Sequence, residues 1–173
     1  IKQARNSADH VVVSIFVNPL QFGAAEDFSS YPHTPVEDQT KLREAGADLL
    51  FLPSEDEIYP GGRDGVSFVE VPGISDTLCG ASRPGHFRGV ATVVAKLFNI
   101  VRPHRAYFGW KDAQQGLIIR RMNEDLNFGI DIALHPTVRE PDGLALSSRN
   151  CYLSESERKT ALRIPEAIRL AAA

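Results

Sequence analysis

The sequence predicts an α/β fold, a parallel sheet with helices on both faces, and three observations carry that prediction. Val11–Val17 (VVVSIFV) is a β-branched apolar run without alternation, as a strand buried on both faces of a parallel sheet requires. The stretch from Val11 to Leu52 reads strand, helix, strand with short joints. A second pair of strand-like runs, Ala106–Gly109 and Ile130–Leu134, brackets a helical stretch. Alternation of this kind implies parallel strands joined by right-handed crossovers.

Taken in order, the chain opens at Ile1 in what reads as the tail of a helix through Ala4 and Arg5, and the absence of an initial Met predicts that residues precede it. After the first strand, Thr34-Pro35-Val36-Glu37 supplies an N-cap, a proline at the first helical position and a capping-box glutamate. That helix is expected to run to Ala45, with Gly46 as its stop and Asp48–Leu52 (DLLFL) as the next buried strand. Pro60–Gly65 is dense in turn residues, and the partial alternation of Val66–Val71 predicts an edge or hairpin strand. From Gly89 to Val101 the residues Val90, Val93, Val94, Leu97 and Val101 repeat at helical spacing, ending before Pro103. Asp112 opens a helix to about Asn123, with Leu117, Ile118 and Met122 on its inner side. Ser154–Glu157 caps a last helix, interrupted near Pro165. The closing Ala171–Ala173 reads as a truncation or an alanine tail.

Composition narrows the class. With 173 residues, 19 Lys plus Arg against 22 Asp plus Glu and a net charge of -3, the chain has no basic footprint for nucleic acid or an anionic membrane. No apolar run approaches the roughly 20 residues needed to cross a bilayer. A soluble protein in the cytoplasm is the expectation. Cys79 and Cys151 lie far apart and match no metal-ligand spacing, which suits a reducing compartment and a chain without a metal cage.

Open parallel sheets bind ligands beyond the carboxyl ends of their strands. Here those ends lead into Asn18 and Gln21, into Lys111, Asp112 and Gln115, and into Val138, Arg139, Ser147, Ser148 and Arg149. Several independent loops thus deliver polar groups to one edge. Each residue also has a plain reading. Asp112 to Gln115 has the spacing of a capping box, Val138 suits core packing, and Ser147–Asn150 is an ordinary turn. His86 ahead of a helix can satisfy local backbone groups or face the cleft. Arg83 can be a surface charge, and Asn18-Pro19 can shape a turn or touch a ligand.

The segments SIFVNPLQF, EDF...YPHT, RPGHFRGVATVVAKLFNIVRP, FGWKDAQQ and PTVREPDGLALSSRN occur in the order and spacing of the pantoate–beta-alanine ligase family, and the chain resembles that family from about Val11 to Arg158. The family belongs to the Rossmann-like nucleotidyltransferases with an HxGH-type signature. The resemblance implies ATP-dependent joining of pantoate to β-alanine through a pantoyl adenylate, with release of AMP and pyrophosphate and with Mg²⁺ on the triphosphate. It implies ATP contacts at Gly109, Trp110, Lys111, Asp112, Val138, Leu146, Ser147, Ser148 and Arg149. Lys111, Ser147, Ser148 and Arg149 would serve catalysis, and Gln21 and Gln115 would bind pantoate and β-alanine. His86, Asn18 and Arg83 match positions near the cleft.

The resemblance also implies a homodimer, a catalytic domain over residues 1–135, and in residues 136–173 the nucleotide loop and the start of a small C-terminal domain. The family's first strand and HxGH turn do not occur in residues 1–173, nor does most of its C-terminal domain, so the expectation is either a longer protein with a segment ahead of Ile1 or a catalytically defective nucleotide- or pantoate-binding fragment, with a related nucleotidyltransferase using another acceptor as a further alternative. Trp110 stands where family members commonly carry a polar residue, beside Lys111.

Overall fold

Two strand–helix–strand units organise the chain, seen in a computed structural model that describes residues 1–23 and 26–171. The last two alanines of the C-terminal run lie outside the described residues. A short helix α1 (Lys2–Arg5) precedes β1 (Val12–Ser14), α2 (Pro35–Glu44) and β2 (Leu49–Phe51). Next come α3 (Glu55–Ile58), α4 (Cys79–Ser82) and the long α5 (His86–Val101). The second unit is β3 (Arg105–Gly109), α6 (Ala113–Asp125) and β4 (Asp131–His135), followed by α7 (Glu155–Ala161) and α8 (Arg163–Ala171).

Within each unit the strands are parallel, as the patterning implies. Val12 pairs with Leu49 and Ser14 with Phe51, while Arg105 pairs with Asp131 and Gly109 with His135. The strands form two separate pairs, β1–β2 and β3–β4, in place of the one continuous sheet that the patterning suggested. The expected seven-residue first strand is correspondingly short. A ladder persists only where a partner is present, and beyond Ser14 one further bond, Ile15 N–H to the Phe51 carbonyl, completes the pairing. Val12 and Leu49, opposite each other in the register, are 41% and 52% exposed, so this run is not buried on both faces among the described residues.

The core gathers on α5. Phe87, Val90, Ala91, Val94, Ala95 and Phe98 are buried at helical spacing, and Thr92 and Val93 widen the stripe until the helix is apolar on most of its circumference. From α6, Ile118, Ile119 and Met122 pack into the same cluster, joined by Ile58, Tyr59, Val71 and Ile130. Burying each large apolar side chain contributes about 1.5–3 kcal/mol. Leu117, expected on the inner side of α6, is exposed, and Ile119 takes that role, because the buried stripe runs through 118, 119 and 122.

Other local expectations shift for identifiable reasons. The α5 helix starts at His86, one turn before Gly89, because Gly85 takes a left-handed φ of 80° at the N-cap and lets Phe87 extend the buried stripe. Val66–Val71 is not a strand: the Val69 N–H donates to Thr92 Oγ1 on α5 (3.0 Å), a side-chain partner in place of a neighbouring strand. Thr34 forms no capping box, its hydroxyl bonding Asp38 instead, although Pro35 does open α2. The boxes at Ser54–Glu57 and Ser154–Glu157 are complete, and the helix break near Pro165 falls between α7 and α8.

One close approach sets the geometry of the strand ends. The turn after β1 lies so near α5 that a Cβ on Gly89 would stand 2.3 Å from the Leu20 carbonyl oxygen and 2.7 Å from the Gln21 nitrogen. Backbone on both sides leaves nothing flexible to yield. Gly89→Ala is therefore expected to cost about 3 kcal/mol or more in urea unfolding. Gly61→Ala, with nothing within 4 Å of the added carbon, should stay within about 0.5 kcal/mol. Equal stabilities for the two variants would contradict this packing.

Candidate functional site

The first wall of the site is the turn after β1. Asn18, 2% exposed, caps the 3-10 turn Pro19–Gln21 by accepting from Leu20 N–H (3.3 Å). The same oxygen accepts from the Tyr59 hydroxyl (2.7 Å), while the amide nitrogen donates to the Gly89 carbonyl (3.0 Å) and to Gln21 Oε1 (3.2 Å). All four of the amide's hydrogen-bonding positions are thereby used. The structure places Asn18 inside the turn, while Gln21 is half-buried, with its Oε1 on the Asn18 amide.

From Gln21 the network runs into the start of α5. His86 Nδ1 donates to the Gln21 carbonyl (2.8 Å), and Arg83 Nη1 donates to His86 Nε2 (3.0 Å). Arg83 in turn grips Glu26 with both prongs, at 2.7 and 2.6 Å. Burial is the main force holding the His86 proton affinity below its ordinary value, and the Arg83 charge adds to it; the bond to Gln21 and the carboxylates of Glu26 and Asp112 oppose it. The imidazole is neutral, with its proton on Nδ1. The Arg83 fork, through its hydrogen bonds first, draws the Glu26 carboxyl below the usual carboxylate range.

A second guanidinium–carboxylate pair lies beside the first. Arg149, in the 3-10 turn Ser148–Tyr152, grips Asp27 at 2.8 and 2.6 Å and stacks over the Tyr31 ring at 5.0 Å. Ser148 Oγ donates to the Tyr31 hydroxyl (3.1 Å) and the Tyr152 hydroxyl to the Ser30 carbonyl (2.9 Å). Tyr31 is itself held edge-on against Phe22. Glu26, Asp27, Arg83 and Arg149 line a cavity of about 290 Å³, so segments more than a hundred residues apart in sequence share one space.

The turn after β3 lies outside the residues that line this cavity. Gly109 leads into the 3-10 turn Trp110–Asp112, where Lys111 Nζ lies 3.5 Å from Asp112 Oδ1. The capping box expected at Asp112–Gln115 is absent: Asp112 makes no side-chain cap bond, and its carboxylate faces Lys111. Gln114 turns inward to bond the Ile74 and Thr77 carbonyls, and Gln115 sits half-buried one position on. Trp110 is 42% exposed beside Lys111. The loop after β4 folds back through an Arg139–Ala145 bridge, with Leu146 N–H bonded to the Val138 carbonyl (2.9 Å). Val138 is exposed, which removes the core-packing reading, and Ser147 caps the turn that carries Ser148 and Arg149.

Hydrogen bonds and the shared cavity thus unite Asn18, Gln21, Arg83, His86, Ser148 and Arg149, and the Asp112 charge reaches His86. Glu26, Asp27, Tyr31 and Tyr59 join this network without a local sequence pattern that assigns them a role. The first three lie in EDF...YPHT, a segment visible as a motif without assigned roles; Tyr59 had no local signal.

Parallel strands joined by crossover helices, with paired guanidinium and carboxylate groups beside their carboxyl ends, place the chain among the Rossmann-like α/β proteins of the nucleotidyltransferase type. The chain belongs to the pantoate-beta-alanine ligase family, whose model matches residues 1–173. It is 60% identical over 168 residues to the pantothenate synthetase of Shewanella amazonensis, covering 97% of this chain and 60% of that protein. The crystal structure of pantothenate synthetase from Thermus thermophilus is similar at a TM-score of 0.90 and 54% identity, over 93% of this chain and 58% of that one. A pantoate-beta-alanine ligase from Francisella tularensis, crystallised with beta-gamma ATP and beta-alanine, matches at 0.90 and 42% identity, over 97% of this chain and 64% of that one. The chain spans about three fifths of the length of the curated relatives it matches. No helix among the described residues is long and apolar enough to cross a membrane.

The neutral state of His86 carries a pH signature. Because folding lowers its proton affinity, the unfolded chain binds the extra proton first. The associated stability is present above the ordinary value of 6.5 and is lost as pH falls through that value toward the lower folded one. Melting temperature should therefore drop between about pH 7.5 and 5.5, and His86→Asn should flatten that part of the profile. An unchanged slope in the variant would contradict the assignment.

Proposed function

We propose that this chain carries the catalytic cleft of an ATP-dependent acid–amine ligase that joins pantoate to β-alanine. The observation that carries this reading is the cavity bounded by Arg83 and Arg149, with Gln21 tied to its rim through His86. A triphosphate and a carboxylate repel each other, and donors fixed in advance between them lower the cost of bringing them together. The Francisella relative's two ligands, beta-gamma ATP and beta-alanine, fit the same chemistry.

In the first step one oxygen of the pantoate carboxylate attacks the α-phosphorus of ATP. The bond from that phosphorus to the bridging oxygen breaks, and pyrophosphate leaves with the electron pair. In the second, the neutral β-alanine amine attacks the acyl carbon, the acyl–phosphate bond breaks, AMP leaves, and the surplus proton passes to solvent.

Lys111 and Arg149 are assigned to phosphate oxygens, as a point charge and as a two-pronged fork respectively. To do so Arg149 exchanges the Asp27 carboxylate for phosphate, a trade between like partners. Ser147 and Ser148 add hydroxyl donors. Gly109, Trp110 and Asp112 border the nucleotide, Val138 meets the adenine end through its backbone, and Leu146 flanks the serines. Gln21 and Gln115 hold pantoate, with Gln21 also serving the entering β-alanine.

Mg²⁺ is assigned to enter with the triphosphate, whose charge it would help to screen. Residues 1–135 are assigned to the catalytic domain, and residues 136–173 to the nucleotide loop and the start of a smaller C-terminal unit. A cytoplasmic homodimer completes the reading.

Two measurements test it on a full-length ligase carrying this sequence. Lys111→Ala should slow pantoate-dependent pyrophosphate release in a single turnover by on the order of a hundredfold or more. Arg149→Lys keeps the charge and loses the fork, so the KM for ATP should rise more than that for pantoate. An unchanged single-turnover rate for the first variant would remove Lys111 from the mechanism. Failure of the unsubstituted protein to release pyrophosphate with pantoate, while another acid supports release, would overturn the substrate assignment.

A further inference from the structure

Tyr59, at the end of α3 and 41 residues from Asn18 in sequence, is 2% exposed, yet it places its one polar atom on the turn that presents Gln21. The Asn18 amide has two ends, and which end faces Gln21 decides what Gln21 offers a ligand. The nitrogen end faces it here and donates to Gln21 Oε1. With that oxygen engaged, the other end of Gln21 is Nε2, a donor suited to a carboxylate or another acceptor oxygen. Were the Asn18 amide reversed, its oxygen would claim Gln21 Nε2 and turn Oε1 outward, where it would repel an anion.

Three groups oppose reversal. The Gly89 carbonyl accepts and therefore needs the nitrogen end; the Leu20 N–H and the Tyr59 hydroxyl donate and need the oxygen end. The Tyr59 bond, at 2.7 Å, is shorter than the Leu20 bond at 3.3 Å. The ring is fixed by Phe16, 6.1 Å away between centroids, and by Lys96 Nζ at 5.6 Å over its face. Burial pushes the phenol up to about 12, so the proton stays on the oxygen across the working pH range.

We propose that Tyr59 is a positioning residue that acts through Asn18 to hold the Gln21 amide with its donor end toward the anionic substrate. This rests on the reading of Gln21 as a pantoate-binding residue.

The test is a double-mutant cycle on the full-length protein, with pantoate and ATP dissociation constants measured separately by calorimetry. Tyr59→Phe keeps the ring and deletes the donor. It should weaken pantoate by about five- to tenfold and leave ATP within about twofold. In a Gln21→Leu background the same change should leave pantoate affinity within about twofold, because the amide it orients is gone. Equal loss in both backgrounds, or parallel loss of pantoate and ATP, overturns the proposal and leaves Tyr59 a packing residue. A second readout needs no ligand: the Gln21 side-chain amide NMR signals should broaden or double in Tyr59→Phe, and a single unchanged pair of signals overturns the proposal. If the unsubstituted protein binds ATP but not pantoate, the ligase reading fails and the proposal fails with it. Pantoate binding with additive losses removes the proposal alone.

Discussion

Because the Asn18 side chain is buried, each of its hydrogen-bonding positions has to be met, and the groups that meet them tie the end of β1 to α3, to α5 and to Gln21. An unmatched amide at this depth would cost about 1–3 kcal/mol. The tie also requires the backbone of the Pro19–Gln21 turn to lie against α5, which the missing side chain of Gly89 allows. The placement of His86 follows, since its imidazole bonds the Gln21 carbonyl, and with it the orientation of Arg83. Polar chemistry at the strand ends thus rests on one saturated amide packed against an apolar helix.

The cleft is charged without being strongly cationic. Arg83 and Arg149 each hold a carboxylate with both prongs, so the two forks are aimed and neutralised together. Such pairs are partly exposed, and solvent screens them, so they serve geometry more than stability. A phosphate can take the place of a carboxylate on a guanidinium with little change in hydrogen-bond geometry. Lys111 is built differently: it sits on an exposed turn with Asp112 at 3.5 Å, a loose pairing that leaves the ammonium able to follow a ligand.

The sequence made the order of elements legible because period and punctuation are local properties. The unalternating run at Val11–Val17, the stripe in α5 and the caps at Ser154 and Pro35 all announce themselves within a few residues. Lengths and faces were less legible, because they depend on partners. The first strand stops where β2 stops, Val66–Val71 donates its hydrogen bond to Thr92 through the Val69 N–H, and the inner face of α6 is set by how that helix meets α5. The loops carrying Gln21, Lys111 and Ser147–Arg149 could be picked out by their place after strands and by resemblance. Glu26 and Asp27 could not, since a carboxylate's partner more than fifty residues away leaves no trace in the local pattern. Tyr59 was the least visible, being a core aromatic whose single hydroxyl carries its importance.

Three separate strand ends are proposed to serve one site for a nucleotide and a small hydroxy acid. A crystal structure of the full-length protein soaked with ATP and pantoate addresses it most directly. The triphosphate should lie within hydrogen-bonding distance of Lys111 and Arg149, with Asp27 released, and pantoate against Gln21 and Gln115 in the adjoining space. A triphosphate bound elsewhere with Arg149 still on Asp27, or pantoate out of reach of both glutamines, would contradict it.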